Sequence, residues 1–164
     1  MQKKEVYILT GTIHSGKSST LANWCKTRND VFGILSPVEN GKRFFQDLSS
    51  GEKFPMEAGP DEISTIPIGK FKFSMSAFSK AVEVISRSSY NKNGWLVIDE
   101  IGPLELSGRG FDEVLKEILD NTPSNMKLIL VVRDTIREEV IQRYSLSDHL
   151  IKEVNFLGNK DALV

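Results

Sequence analysis

The sequence contains too few cysteines and histidines for a disulfide scaffold or a multi-cysteine zinc site. Cys25 is the single cysteine, and there are two histidines among 164 residues. An internal disulfide and a zinc site built from several cysteines are therefore both excluded. Cys25 falls inside a predicted helix, where we expect a small buried side chain rather than a catalytic thiol.

Long apolar runs and an excess of one charge are also lacking. No run reaches the roughly 20 residues of a membrane-spanning helix, and the apolar stretch after Lys3 and Lys4 is too short for the core of a signal peptide. With 21 basic and 22 acidic residues, the formal net charge is −1, which gives no general attraction to nucleic acid or to an anionic membrane. We therefore expect a cytoplasmic protein that binds neither of them, folded as one domain over residues 1–164.

What the sequence does contain is a regular alternation of apolar strands with amphipathic helices. The predicted strands are Val6–Thr10, Val31–Leu35, Trp95–Ile98, Leu128–Val132 and Ile151–Phe156. The predicted helices are Ser18–Arg28, Ser76–Ser88, Phe111–Leu119 and Ile136–Tyr144. This alternation predicts an α/β fold with a mainly parallel sheet and flanking helices.

A glycine-containing segment lies between the first strand and the first helix. Residues Gly11–Ser18 fit the pattern G-x-x-x-x-G-K-[ST] of the phosphate-binding loop, or Walker A motif. Backbone N–H groups of such a loop wrap the phosphates, which requires glycine at tight turns, and the following helix N-terminus attracts the anion. The motif predicts binding of a nucleoside triphosphate such as ATP or GTP through Gly11, Thr12, Ile13, His14, Ser15, Gly16, Lys17, Ser18 and Ser19.

Single side chains of this segment have separate predicted roles. Lys17 places a positive charge on the β- and γ-phosphate oxygens, and Ser18 offers its hydroxyl to Mg²⁺. Ser19 is expected near the α-phosphate. For His14 a role as base or ligand is conceivable, but a solvent-facing loop side chain is favoured. His149 has no partner motif and is expected to be structural or exposed.

Two carboxylates follow the apolar strand Trp95–Ile98. In phosphate-loop proteins the strand-end aspartate holds Mg²⁺, which predicts that role for Asp99 in a Walker B motif. The neighbouring Glu100 is predicted to orient and deprotonate the attacking water, or alternatively to hydrogen-bond to the adjoining loop. Because neighbouring residues on a strand face opposite sides, the two carboxylates need not share one role.

Arginines outside the loop are candidates to neutralise charge on the γ-phosphate. Among them Arg133 is favoured, because it ends a strand and therefore shares a sheet edge with the other predicted groups if the sheet is parallel. The candidates are Arg43, Arg109, Arg133 and Arg137.

The β-rich stretch at 31–73 interrupts the strand–helix alternation. Asn40-Gly41 is a strong signal for a hairpin turn between Ser36–Glu39 and Arg43–Leu48, and Ile66–Phe73 is a further β-like segment. We expect hairpin structure that either extends one edge of the sheet or lies over the nucleotide site.

Several segments resemble a family of small P-loop nucleoside triphosphatases related to nucleotide kinases. Asp99–Leu106 resembles the family signature Asp-Glu-Ile-Gly-Lys-Met-Glu-Leu, with Pro103 in place of the lysine, and His14 stands where the family has glycine. Further resembling segments are Gly41–Arg43, Asp47–Gly51, Ile68–Phe71 with Phe78, and Asn159–Asp161. The resemblance implies slow, Mg²⁺-dependent hydrolysis of nucleoside triphosphates with loose base selectivity.

Two other functions remain open at this point. A nucleotide or small-molecule kinase of this fold would carry an acceptor-binding insertion and an arginine-bearing lid. Here the insertion before Phe73 is predicted to be a β-hairpin and no arginine-rich lid is visible, which favours the triphosphatase. A nucleotide-dependent switch or scaffold would use slow hydrolysis to time an interaction with a protein partner that the sequence does not identify. A guanine-specific switch usually has Asn-Lys-x-Asp, a spacing that Asn159–Asp161 lacks.

Overall fold

An eight-stranded sheet forms the centre of the computed structural model, which describes residues 3–11, 17–91, 93–121 and 125–154, with residues 11, 17, 18, 153 and 154 described by their backbone alone. The strands are β1 Glu5–Gly11, β2 Val31–Leu35, β3 Val38–Glu39, β4 Lys42–Asp47, β5 Lys53–Pro55, β6 Thr65–Ile68, β7 Phe71–Ser74, β8 Gly94–Ile101, β9 Met126–Arg133 and β10 Leu150–Val154. The α-helices are α1 Lys17–Lys26, α2 Met75–Ser88, α3 Pro103–Leu106, α4 Asp112–Asn121 and α5 Arg137–Arg143.

The middle of this sheet is parallel. Its order is β10-β1-β9-β8-β2-β4-β3, with β5 paired to β4, and the contacts from β10 through β2 are all parallel. The carboxyl ends of β1, β2, β8 and β9 therefore meet at one edge of the sheet, where ligands bind in folds of this kind. The predicted α/β fold with a mainly parallel sheet is confirmed.

The predicted hairpin extends this sheet. Its turn residues Asn40 and Gly41 have φ of 53° and 76°, the left-handed pair that a tight hairpin turn requires. β4 pairs antiparallel with β2, which makes the sheet mixed, so the first of the two predicted placements is the one observed. Ile66–Phe73 is itself a hairpin, because β6 and β7 form a separate two-stranded sheet.

Apolar side chains cover both faces of the sheet. On one face Leu21 and Cys25 of α1 pack with Trp95 and Val97, and on the other α2, α4 and α5 pack over residues such as Leu96. This division follows the alternation of side chains along β8. In the part of the chain that the structure describes, no helix is both long and apolar enough to cross a membrane.

Candidate active site

The predicted phosphate-binding loop is bracketed by the elements its chemistry requires. Gly11 ends β1, and Lys17 begins α1, so a strand precedes the loop and a helix follows it, as predicted. Ser19 is exposed on the first turn of this helix. The loop residues Thr12, Ile13, His14, Ser15 and Gly16 lie outside the described residues, as do the side chains of Lys17 and Ser18.

Asp99 lies near the end of β8 and is held by Ser36, the residue that follows β2. Its carboxylate Oδ2 accepts the backbone N–H of Ser36 at 3.2 Å, and its main-chain oxygen accepts the Ser36 hydroxyl. The residue is only 3% exposed, and the alternation of side chains along β8 places it on the face of Val97, which α1 covers. Asp99 thus shares that face with the helix on which Ser18 lies.

This aspartate fits the predicted Mg²⁺ role chemically. Carboxylate and hydroxyl oxygens are the ligands that Mg²⁺ prefers, and at nucleotide sites it usually binds one or two carboxylates together with phosphate and water. Among the described residues, no three His, Cys, Asp or Glu side chains cluster as a set of metal ligands.

Glu100 lies beside the end of the neighbouring strand. Its Oε1 is 3.4 Å from Nη2 of Arg133, and Arg133 pairs in register with Gly11, the first residue of the predicted loop. Both side chains are about one third exposed, at 30% and 36%. The structure therefore brings together three groups that sequence reasoning had placed on one edge: Gly11, Glu100 and Arg133.

Asp99 and Glu100 occupy different surroundings. Asp99 contacts Ser36 on β2's side, whereas Glu100 lies beside Arg133 and the turn that leads into α3. The register of β8 against β9 shifts between Asp99 and Ile101. Asp99 thus lies on the α1 side, while Glu100 lies beside the end of β9.

Comparison with known proteins identifies the family. The sequence profile described as NTPase matches residues 6–164, which is nearly the whole chain. The chain belongs to the NTPase family. These are nucleoside triphosphate hydrolases, and the resemblance drawn from Asp99–Leu106 is confirmed.

A curated relative and a solved structure show how far the likeness extends. Nucleoside-triphosphatase THEP1 of Thermotoga sp. (strain RQ2) is 24% identical over 151 residues, which cover 90% of this chain and 85% of the relative. The crystal structure of THEP1 from the hyperthermophile Aquifex aeolicus matches with a TM-score of 0.70 at 16% identity, covering 95% of this chain and 93% of that one. The structural match supports the NTPase fold.

The other three arginines that were candidates to neutralise charge on the γ-phosphate have different surroundings. Arg43 lies over the ring of Phe71 at 5.0 Å, Arg137 forms an ion pair with Glu138, and Arg109 is exposed. Of the four, Arg133 is the one found beside Glu100 in the described part of the chain. Its position favours the choice made from the sequence.

Cys25 and His149 have structural surroundings. Burial, with a smaller contribution from Asp99, raises the pKa of the Cys25 thiol to about 12, so the nucleophilic thiolate is scarce at neutral pH. His149 is buried, and its Nδ1 accepts the backbone N–H of Lys4 at 3.1 Å. Burial and then Lys4 lower the pKa of His149, which accords with a neutral imidazole at the opposite end of the sheet.

Sequence reasoning missed two residues beside the predicted groups. One is Ser36, whose contacts with Asp99 bridge 63 positions of the chain and have no local signal. The other is Glu105, which lies in the Asp99–Leu106 signature but was given no role; this residue is 3% exposed, and its carboxylate accepts the backbone N–H groups of Gly102 and Phe111. A usable signal existed for Glu105, because glutamate at the third position of a helix that starts with proline is typical of a capping box.

Proposed function

We propose that this chain hydrolyses nucleoside triphosphates to the diphosphate and phosphate, slowly, in a Mg²⁺-dependent reaction and with broad base tolerance. ATP and GTP are both substrates in this proposal. The observation that carries it is the pairing of Glu100 with Arg133 at 3.4 Å, beside the strand end that leads into the phosphate-loop motif. A base for water and a cation for phosphate charge are then adjacent to the predicted position of the γ-phosphate.

Each residue has a defined part in the proposed reaction. Lys17 binds the β- and γ-phosphate oxygens, and the backbone of the loop that begins at Gly11 holds the phosphates in place. Glu100 orients a water and takes its proton while the water oxygen bonds to the γ-phosphorus. The bond from the γ-phosphorus to the bridging oxygen breaks, and the diphosphate leaves. Arg133 stabilises the charge that builds on the γ-phosphate oxygens.

Ser18 and Asp99 are the residues that would hold Mg²⁺. When bound, the ion supplies positive charge to the β- and γ-oxygens. Asp99 suits this role because it is buried and oriented by Ser36, so little reorganisation is needed when a cation arrives.

The solvent exposure of Glu100 bears on the choice between a hydrolase and a kinase. Water must reach Glu100 for hydrolysis, and the side chain of Glu100 is 30% exposed, so solvent has access to the proposed catalytic base.

We expect phosphate release from ATP, GTP, CTP and UTP at rates within about tenfold of one another, since specificity for the nucleobase would require contacts that the phosphate loop does not make. Phosphate release is measured beside a screen of nucleoside and monophosphate acceptors. Transfer of the γ-phosphoryl group to an acceptor faster than to water would identify a kinase instead.

Ser36 provides a test of the Mg²⁺ part of the proposal. We expect Ser36→Ala to raise the Mg²⁺ concentration for half-maximal hydrolysis by about tenfold, because the lost hydroxyl bond loosens the strand end that orients Asp99. The measurement is a Mg²⁺ titration of phosphate release at saturating ATP. Ser89→Ala is the control, since that hydroxyl also donates to a main-chain oxygen, of Ser86 at 2.6 Å, but beyond the end of α2. Identical Mg²⁺ curves for wild type and Ser36→Ala would contradict the assignment.

A further inference from the structure

Glu105 closes a short segment of chain next to Glu100. Its Oε1 accepts the N–H of Gly102 at 2.8 Å, and its Oε2 accepts the N–H of Phe111 at 3.0 Å. These two N–H groups mark the start and the end of the segment 102–111, which contains α3 and the turn into α4. One buried carboxylate therefore ties both ends of the segment together.

We propose that Glu105 is a positioning residue for hydrolysis, which holds the turn after β8 in the shape that keeps Glu100 beside Arg133. The inference rests on the proposed function, since it assigns Glu105 an effect on turnover that acts through Glu100. Glu105 itself touches neither the water nor the phosphates in this proposal.

The glycines of the segment show how closely Glu105 fits. A Cβ added at Gly110, where φ is +60°, would lie 2.0 Å from Oε2 of Glu105. A Cβ added at Gly102 would lie 3.8 Å from Oε1 of Glu105 and 3.7 Å from Oε1 of Glu100. The two carboxylates thus flank the backbone at Gly102, whose N–H is bound by Glu105, so in this proposal a shift of Glu105 is passed on to the chain that carries Glu100.

A buried carboxylate at position 105 costs more free energy than a neutral side chain that only caps the helix. A buried carboxylate is poorly solvated, and a neutral Ser, Thr or Asn side chain can cap a helix of this kind from the N-cap position. Burial raises the pKa of Glu105 to about 7, against the opposing effect of the two N–H groups, and the nearby charge of Glu100 raises it further. What the carboxylate adds over a neutral cap, once it is ionised above this pKa, is two strong acceptors on one side chain, which is what fastening both ends of the segment requires.

The test replaces the carboxylate by its isosteric amide. Glu105→Gln has a single acceptor oxygen, so it can serve the N–H of Gly102 or that of Phe111 but not both. At about pH 8, above the pKa of Glu105, we expect kcat for phosphate release to fall by about 10–100-fold, while the Kd for a fluorescent ATP analogue with Mg²⁺ stays within about twofold of wild type. Glu105→Asp, which is too short to span both N–H groups, is measured in parallel in case the amide variant does not fold.

A double-variant comparison separates positioning of Glu100 from a general loss of structure. The Glu100→Gln variant has no catalytic base for Glu105 to position. Adding Glu105→Gln to it should therefore lower kcat by less than about twofold further. Asp47→Asn is the matched control, because Asp47 is also a buried carboxylate that accepts a backbone N–H, from Ser49 at 2.8 Å, on the β4 side of the sheet. We expect Asp47→Asn to lower the melting temperature without changing kcat at a temperature where it is folded.

Each contrary result has a distinct meaning. Wild-type kcat in folded Glu105→Gln overturns the inference alone, provided that Glu100→Gln is slow. An equal loss from Glu105→Gln in both backgrounds also overturns it, since the residue then acts independently of Glu100. If Glu100→Gln hydrolyses at the wild-type rate, the proposed role of Glu100 fails and the inference fails with it.

Discussion

Glu100→Gln is expected to bind Mg-ATP with close to wild-type affinity and to hydrolyse it about 10²–10⁴-fold more slowly. The amide has the shape of the carboxylate but cannot take a proton from water. It also loses its charge attraction to Arg133, whose Nη2 lies 3.4 Å from Oε1 in the native site. Removing a negative charge beside a polyanionic ligand does not weaken binding, so the loss should be confined to kcat.

The measurement is single-turnover phosphate release with enzyme in excess, beside the Kd of a fluorescent ATP analogue. Glu138→Gln serves as the matched control, because Glu138 also pairs with an arginine, Arg137, but is 72% exposed on α5. We expect that variant to retain turnover. Turnover of Glu100→Gln at the wild-type rate would assign the base to another group and would leave the Glu100–Arg133 pair as a structural contact.

The sheet could be predicted from the sequence because its strands are short apolar runs that alternate with amphipathic helices. Once the sheet is parallel, the carboxyl ends of its strands share an edge. That rule is why the order of residues along the chain is enough to expect Asp99, Glu100 and Arg133 near the phosphate-loop motif. The observed strands β8 and β9 extend beyond the predicted apolar runs, and their last residues carry these side chains.

Other features depend on contacts that leave no local pattern. Four arginines were open as partners of the phosphate, and only the registers of β9 with β1 and β8 place Arg133 beside both Gly11 and Glu100. The turn at Asn40-Gly41 was predictable from its residues. The pairing of β4 with β2 was only one of two alternatives, the other being a hairpin over the nucleotide site. The helix α3 has four residues, too few for an apolar period to be recognised.

The second large effect concerns stability. Asp112→Asn is expected to lower the free energy of unfolding by about 2–3 kcal/mol. Asp112 is buried at the start of α4, and its carboxylate accepts Nε and Nη2 of Arg143 at 2.7 and 2.9 Å and the Tyr144 hydroxyl at 2.7 Å. These bonds join the beginning of α4 to the end of α5, and an amide cannot accept all of them. The 29% exposure of the Arg143 side chain keeps the expected loss below that of a fully buried pair.

Urea unfolding of both proteins at pH 7 measures this loss, and Asp30→Asn provides the control. Asp30 binds Arg28 in the same two-pronged geometry, at 2.8 Å to each oxygen, but at the surface, where its side chain is 40% exposed. Exposed pairs of this kind contribute at most about 1 kcal/mol. A loss for Asp112→Asn no larger than that for Asp30→Asn would show that burial of the carboxylate adds nothing.

The effect of Asp112 should also depend on pH in a defined direction. The hydrogen bond from Arg143, supported by Tyr144 and Lys116 and opposed by burial, holds the pKa of Asp112 well below its usual range. A carboxyl whose pKa is lower in the folded state than the ordinary value of about 3.9 stabilises the fold above that value, and this contribution is lost as the pH falls further. The stability difference between wild type and Asp112→Asn should therefore be constant from pH 7 to about 5 and shrink below about pH 4. The asparagine at position 112 does not titrate, so any change of this difference with pH reports the protonation of Asp112. A difference that stays constant to pH 3 would mean that the ionised carboxylate is not the source of the stabilisation.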